Sequence, residues 1–320
     1  MNETMKTWLI AAVLLVAIGL IAVAVIMTIN GWDFTKLGTG KYETNTYEIN
    51  GEFTNISIKT DTADIVFAPS DDGKCKVVCY EAKKVKHSVT VEGGELTVNV
   101  VDTRKWYEYI GINFRTPKIT VYLTEAEYSS LIIEESTGDI KIPKNFRFNS
   151  IEVSVSTGDV ECYASTAEAV KIETSTGDIN VTDISAGLMK LLVSTGKVTV
   201  YGVSCEGDIT VGVSTGKVYL TDIACKSVYS SGDTGDIFLE NVIAEEKFSI
   251  ERDTGDVMLT DSDAAEIFIE TDTGDVRGTL LSDKVFIVKT DTGRIDVPSS
   301  ITGGRCEITT DTGDIQITVK

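Results

Sequence analysis

From Leu131 onward, apolar and polar positions alternate in short runs, and the same run returns at a fixed distance. Each run ends in a turn of the form Ser/Asp-Thr-Gly, with glycines at Gly138, Gly158, Gly177, Gly196, Gly216, Gly235, Gly255, Gly274, Gly293 and Gly313. Two positions after the glycine, all ten copies carry a β-branched residue: Ile140, Val160, Ile179, Val198, Val218, Ile237, Val257, Val276, Ile295 and Ile315. Five and seven positions before it the residues are mostly apolar, as in Val170 and Ile172 or Ile209 and Val211. Period-2 alternation with β-branched residues predicts strand–turn–strand with one face inward.

A period of 19 or 20 residues predicts a solenoid. Parallel stacking would bring equivalent residues into ladders about 4.8 Å apart, so ten coils make a rod about 48 Å long. Crossover geometry favours right-handed winding. A lone coil cannot offset the entropy of ordering itself, so stability must come from neighbours. The expected fold is therefore an all-β, right-handed parallel β-solenoid with ten regular coils over 131–320. In the turn, glycine would supply the positive φ of a type II turn or bulge. Ser or Asp would bond its own turn. By parity, the threonine before glycine would line the corner.

Ahead of the rod, 46–130 reads as an irregular β cap. It contains a degenerate turn, Thr60-Asp61-Thr62-Ala63-Asp64, nearly four periods before Gly138, so the solenoid can begin there and be interrupted. A hairpin is expected on Gly93-Gly94. The insertion 102–115 carries Trp106, Tyr107, Tyr109 and Phe114, which either cover the first coil or form an exposed partner-contact loop. Residues 30–45 read as a polar stalk. Residues 8–29 carry no charge and are long enough to span a bilayer, which predicts an uncleaved signal anchor behind a cytoplasmic tail of 1–7. Trp8 and Trp32 flank it as belt residues. The positive-inside signal is weak, and the acidic C-terminal part is expected outside. The chain stops at Lys320 directly after a strand, so the C-terminal coil edge would be open to self-association.

The net charge of −20 argues against nucleic acid. The position after the turn glycine is Asp in seven copies and Lys197, Lys217 or Arg294 in three. The last five turns also begin with Asp, so the distal half is the more acidic. Carboxylates stacked at ladder spacing repel. Either each caps its own turn's amides, or a weakly bound divalent cation such as calcium sits among Asp233, Asp236, Asp253, Asp256, Asp272 and Asp275. Cys205 and Cys225 should stack on adjacent coils, within disulfide reach or as unpaired small residues. Cys75 and Cys79 lie too far apart along one strand to bridge each other, and no cysteine spacing matches a zinc motif. His87 is the single histidine, and nothing near it marks a triad. No catalytic residue or cofactor is assigned, because an Asp that recurs in every coil is a turn residue first.

An N-terminal anchor, a degenerate Thr-Asp-Thr-Ala-Asp and repeated Ser/Asp-Thr-Gly-Asp-Ile/Val turns resemble the bacterial "putative adhesin" family of β-strand repeats, over about 46–320. The resemblance implies a cell-envelope β-solenoid without enzymatic residues. The expected role is a non-enzymatic, membrane-anchored surface module that binds a polymer or protein. The alternatives are an envelope-stress or signalling accessory contacting a membrane partner and, less favoured, a polysaccharide-acting β-helix enzyme.

Overall fold

The computed structural model describes residues 3–32, 41–106 and 115–320. Among the described residues, the helix α1 (Glu3–Ile29) precedes a long series of strands. Its C-terminal turn closes with Trp32 N–H on the Met27 carbonyl at 2.8 Å and Gly31 at φ 66°, a left-handed cap. Residues 4–29 are long and apolar enough to cross a membrane, and most of their apolar side chains lie on the surface, Met27 being the buried exception.

The coils stack in register and parallel. Ile140 pairs with Val160, Val160 with Ile179, Ile179 with Val198, Val198 with Val218, and Val218 with Ile237. Each of these side chains is at most 1% exposed, so one continuous apolar column runs along the inside of the rod. The backbone ladder passes through the turn: Gly158 N–H donates to the Thr176 carbonyl and Val160 N–H to the Asp178 carbonyl.

The turn is not type II. Nine of the ten repeat glycines have φ between 129° and 158°, far from the value near 80° that turn requires. Space is the stronger constraint. A Cβ on Gly216 would lie 1.7 Å from the Gly196 carbonyl oxygen, and one on Gly177 would lie 2.0 Å from that of Gly158. The threonine before glycine is exposed in every coil, because the turn reverses the parity of the strand behind it. The corner is lined instead by the residue three before glycine. Thr174, Thr271, Thr310 and Thr290 sit there, each donating its hydroxyl to a glycine carbonyl on the neighbouring coil.

The stack begins earlier than 131. Strands β2 (Asn55–Thr62) and β3 (Asp64–Pro69) form a coil of their own, pairing in parallel with Glu127–Thr137 and Ile140–Ile142. Ala63 can replace glycine because its coil has no turn glycine in front of it. Beyond it lie β6 (Glu95–Asp102) on β2 and β7 (Lys118–Leu123) on β3, both parallel. The end is closed by antiparallel strands: β4 (Lys76–Ala82) on β7, β5 (Val85–Glu92) on β6, and β1 (Tyr42–Glu48) on β4. The β5–β6 hairpin turns on Gly93 and Gly94, both at positive φ.

At the other end the order in space departs from the order in sequence. The tenth coil, Gly304–Thr312 with Ile315–Val319, pairs with 267–273 and Val276–Leu280 of the eighth. The ninth coil, Lys284–Thr292 with Ile295–Asp296, lies outside the tenth. Lys320 is held on the eighth coil by its amide on the Leu280 carbonyl and its ammonium 2.6 Å from Asp261. The C-terminal coil is thus internal, and the open edge belongs to 284–296. There Ile295 is 47% exposed, the one member of its column without a coil to cover it.

Replacing Gly216 with alanine is expected to lower stability by about 3 kcal/mol or more, because its Cβ would meet backbone that cannot yield. Replacing Ala63 with glycine should cost only about 1 kcal/mol. Urea unfolding of the full chain in detergent, followed by circular dichroism, compares the two; equal losses would contradict the stacking constraint.

Candidate functional site

The side chain after each turn glycine has a defined partner. Its Oδ1 accepts the backbone N–H of the equivalent residue on the next coil: Asp64 from Asp139, Asp139 from Asp159, Asp159 from Asp178, and Asp178 from Lys197. The distal half repeats this, with Asp236, Asp256 and Asp275 receiving Asp256, Asp275 and Asp314. Each carboxylate therefore caps its neighbour's turn and not its own. In space the column reads Asp64, Asp139, Asp159, Asp178, Lys197, Lys217, Asp236, Asp256, Asp275, Asp314, Arg294. The basic members face acids: Lys197 to Asp178 at 3.3 Å, Lys217 to Asp236 at 2.8 Å, and Arg294 to Asp314 at 3.4 Å. The Lys217 ammonium, bonded to Asp236, holds that carboxyl below the usual range.

Of the six acids singled out as a calcium set, Asp236, Asp256 and Asp275 are engaged in this amide ladder. Asp233, Asp253 and Asp272 stand exposed on the outer side of the turns. They form a solvent-facing column with Asp311 and Asp291, continuing the serines Ser136, Ser156, Ser175, Ser194 and Ser214. Trp106 is 79% exposed. Tyr107, Tyr109 and Phe114 lie outside the described residues. Cys205 and Cys225 are free thiols on neighbouring coils. They are not bridged: Cys205 donates to the Gly187 and Asp208 carbonyls and Cys225 to that of Ser227.

Midway along this outer face lies a hollow of about 440 Å³. It opens where Gly212 leaves out a side chain and where Ser194, Ser214 and Ser231 are short, with Gly232 also on its lining. Glu173, Asp233, Glu251 and Asp253 bring carboxylates to its walls. A Cβ on Gly212 would meet only Leu192 Cδ2, at 2.8 Å. A Cβ on Gly232 would lie 1.9 Å from both Arg252 Nη1 and the Val213 carbonyl oxygen. Gly232 is therefore the space into which Arg252, 3% exposed, inserts from the next coil. Its guanidinium donates to the Val213 carbonyl and to Ser230 Oγ, and its Nε has no partner among the described residues. Burial lowers its affinity for the proton, and Asp233 and Asp236 partly restore it. The arrangement offers hydroxyls and acceptors at coil spacing, which suits a polyhydroxylated or cationic chain.

Two further polar groups lie inside the rod. Glu135 occupies the corner column beside Thr60; its Oε1 accepts Ala63 N–H and Thr137 N–H, and its Oε2 has no partner among the described residues. Burial pushes its carboxyl up to about 7. In the cap, Cys79 and Glu81 on β4 meet His87 on β5, all buried. His87 Nδ1 is 2.8 Å from Glu81 Oε2, and its Nε2 is 2.9 Å from Thr60 Oγ1. Asn45 on β1 donates to Glu81 Oε1 at 2.6 Å, and Tyr47 donates to the His87 carbonyl. Burial, then the Glu81 carboxylate, push the Cys79 thiol up to about 12. Sequence spacing gave no hint of a zinc motif, yet the fold converges these three. The available signal was Cys-x-Glu at inward positions of one strand, with His87 just past a two-residue corner. For Arg252 it was a glycine, Gly232, in a column otherwise filled by larger inward residues.

The family model described as Toastrack DUF4097 matches residues 53–212 and again 206–320. No curated protein matches. Among solved structures, a "putative adhesin" from Parabacteroides merdae ATCC 43184 is 12% identical with a TM-score of 0.48, covering 88% of this chain and 98% of its own. A second "putative adhesin", from Bacteroides fragilis NCTC 9343, is 16% identical with a TM-score of 0.42, covering 87% and 97%. A "putative lipid binding protein" from Parabacteroides distasonis ATCC 8503 is 14% identical with a TM-score of 0.41, covering 88% and 98%.

Glu135 generates a pH prediction. Its folded carboxyl titrates near 7 against 4.5 for the ordinary group, so the folded state holds the extra proton and stability falls as pH rises through that window. Glu135→Gln should raise unfolding free energy by about 2–3 kcal/mol near pH 8 and change it little near pH 4.5. Urea titrations at the two pH values measure this; a gain of equal size at both would contradict a buried, titrating Glu135.

Proposed function

The chain belongs to the Toastrack DUF4097 family, and on that premise we propose that it is a membrane-anchored binding module of the cell envelope, with the β-solenoid on the extracytoplasmic side. Helix α1 is the anchor. The outer turn face is the binding surface, and its ligand is a repeating polyhydroxylated or cationic surface polymer. Supporting this reading is the regular column of exposed serines and aspartates, broken at mid-rod by the acid-lined hollow beside Gly212. A ladder repeats its hydroxyls and carboxylates about every 4.8 Å, so a polymer with regular substituents can meet several coils at once. A divalent cation such as calcium would bridge the exposed acids Asp233, Asp253 and Asp272 to hydroxyls of that polymer. The role is adhesive or structural and uses no chemical step.

The test is binding of the full chain, held in lipid nanodiscs, to an array of wall polymers and glycans. Gly212→Leu places a side chain at the hollow, and its Cβ meets only the flexible end of Leu192. The expected result is at least a tenfold loss of binding to the best polymer, with the unfolding midpoint nearly unchanged. Undiminished binding by this variant would remove the hollow from the site; failure of the intact chain to bind any polymer would end the adhesive reading.

A further inference from the structure

We propose that Cys79, Glu81 and His87 in the N-terminal cap bind a zinc ion, which staples the closing strands β4 and β5 over the end of the rod. Their ligand atoms, a thiol sulfur, a carboxylate oxygen and a ring nitrogen, all lie within 4.8 Å of one another. All three residues are buried. Carboxylates and imidazoles are rarely sealed from water unless they are paired or hold a metal.

The surroundings have the form of a metal site's outer shell. A ligating histidine commonly uses its second ring nitrogen on an oxygen acceptor, which fixes the ring. Here His87 Nε2 meets Thr60 Oγ1 at 2.9 Å, which turns Nδ1 toward Glu81. A ligating carboxylate commonly has its other oxygen hydrogen-bonded. Here Glu81 Oε1 accepts from Asn45 at 2.6 Å, while Oε2 accepts the His87 backbone N–H at 2.7 Å and faces His87 Nδ1 at 2.8 Å. The Cys79 thiol is buried and has no hydrogen-bond partner among the described residues, whereas Cys162, Cys205 and Cys225 each donate to a carbonyl. Its inward direction follows from β4, where Val77, Cys79 and Glu81 alternate onto the buried face.

The donor set selects the cation. Thiolate, imidazole and carboxylate suit zinc; calcium and magnesium prefer oxygen alone. Zinc replaces the proton now shared by His87 and Glu81. Bonds of about 2.0–2.1 Å to both would hold the two atoms about 3.3 Å apart, so the 2.8 Å contact opens by about half an ångström. Binding releases the Cys79 thiol proton and the shared proton to solvent, and water takes the fourth position. The cation ties β4 to β5 beside β2, adding a bond between two strands that otherwise meet through hydrogen bonds and the apolar layer of Val77, Leu96 and Val98. This site is separate from the outer turn face and does not depend on polymer binding.

Cobalt(II) is the probe, because a cobalt–thiolate bond absorbs in the near ultraviolet. The full chain in nanodiscs, stripped with chelator, is titrated with cobalt and then with zinc. The expected result is one equivalent of cobalt with thiolate-to-cobalt absorption, displaced by zinc, and a zinc-induced rise in the unfolding temperature that calcium does not produce. Cys79→Ser should abolish the absorption and Cys162→Ser should leave it. Asn45→Ala, which removes only the outer-shell donor, should weaken affinity about 10–100-fold. Absence of thiolate absorption in the unaltered chain overturns the proposal whatever the variants do. Absorption that survives in Cys79→Ser places the metal elsewhere and overturns it equally.

Discussion

The rod depends on one close approach. At each turn the carbonyl oxygen of the neighbouring coil's turn residue, a glycine everywhere except Ala63, occupies the volume that a glycine Cβ would need, about 2 Å away. That contact brings the corners to the same spacing as the strands, so the backbone ladder runs through the turn without a break. The residue that follows then presents an amide the backbone ladder does not pair. An aspartate on the preceding coil supplies the acceptor, and this explains why the repeat is Thr-Gly-Asp and not merely Gly. Where lysine takes the place of aspartate, at Lys197 and Lys217, the amide acceptor is lost but the stacked carboxylates are neutralised from both sides. The column alternates blocks of charge in space, which limits the repulsion that an unbroken row of acids would build up.

Both ends of the stack manage an exposed edge, and they do so differently. At the N-terminal end the parallel walls are covered by antiparallel strands, so the last apolar layer meets β4 and β5. At the C-terminal end the tenth coil slots between the eighth and the ninth. Lys284 helps to hold the ninth coil in place: its ammonium is 2.6 Å from Asp263, and it is 2% exposed. The terminus itself is thereby removed from the edge, and the ninth coil carries the exposed apolar residues Val285, Ile287 and Ile295.

The repeat made register legible, since Ile179, Val198 and Val218 could only be equivalent if they stack. It also placed the degenerate coil around Ala63. Coil order at the distal end was not legible, because the ninth and tenth coils carry interchangeable inward residues, Val288 and Ile295 against Ile308 and Ile315. Gly303 and Gly304 held the clue. Their missing side chains let the chain pass Asp283 and Ala265 at under 2 Å from where each Cβ would sit. Parity misled at the turn threonines because the turn itself breaks the alternation. The hollow beside Gly212 and the buried Arg252 depend on residues one coil apart, so they emerge only after the coils are laid side by side. The cap cluster is the least legible of all: Asn45, Thr60, Cys79, Glu81 and His87 come from four strands whose pairing no periodicity announces.

Cysteine cross-linking at exposed turn threonines tests the stack most directly. Thr273 lies in register with Thr312 and not with Thr292. Paired cysteines at 273 and 312 should therefore form a disulfide on mild oxidation of the folded chain, while the pair at 273 and 292 should not. Rapid bridging of 273 to 292, with none to 312, would mean that the coils follow chain order and that the interleaved end described above is wrong.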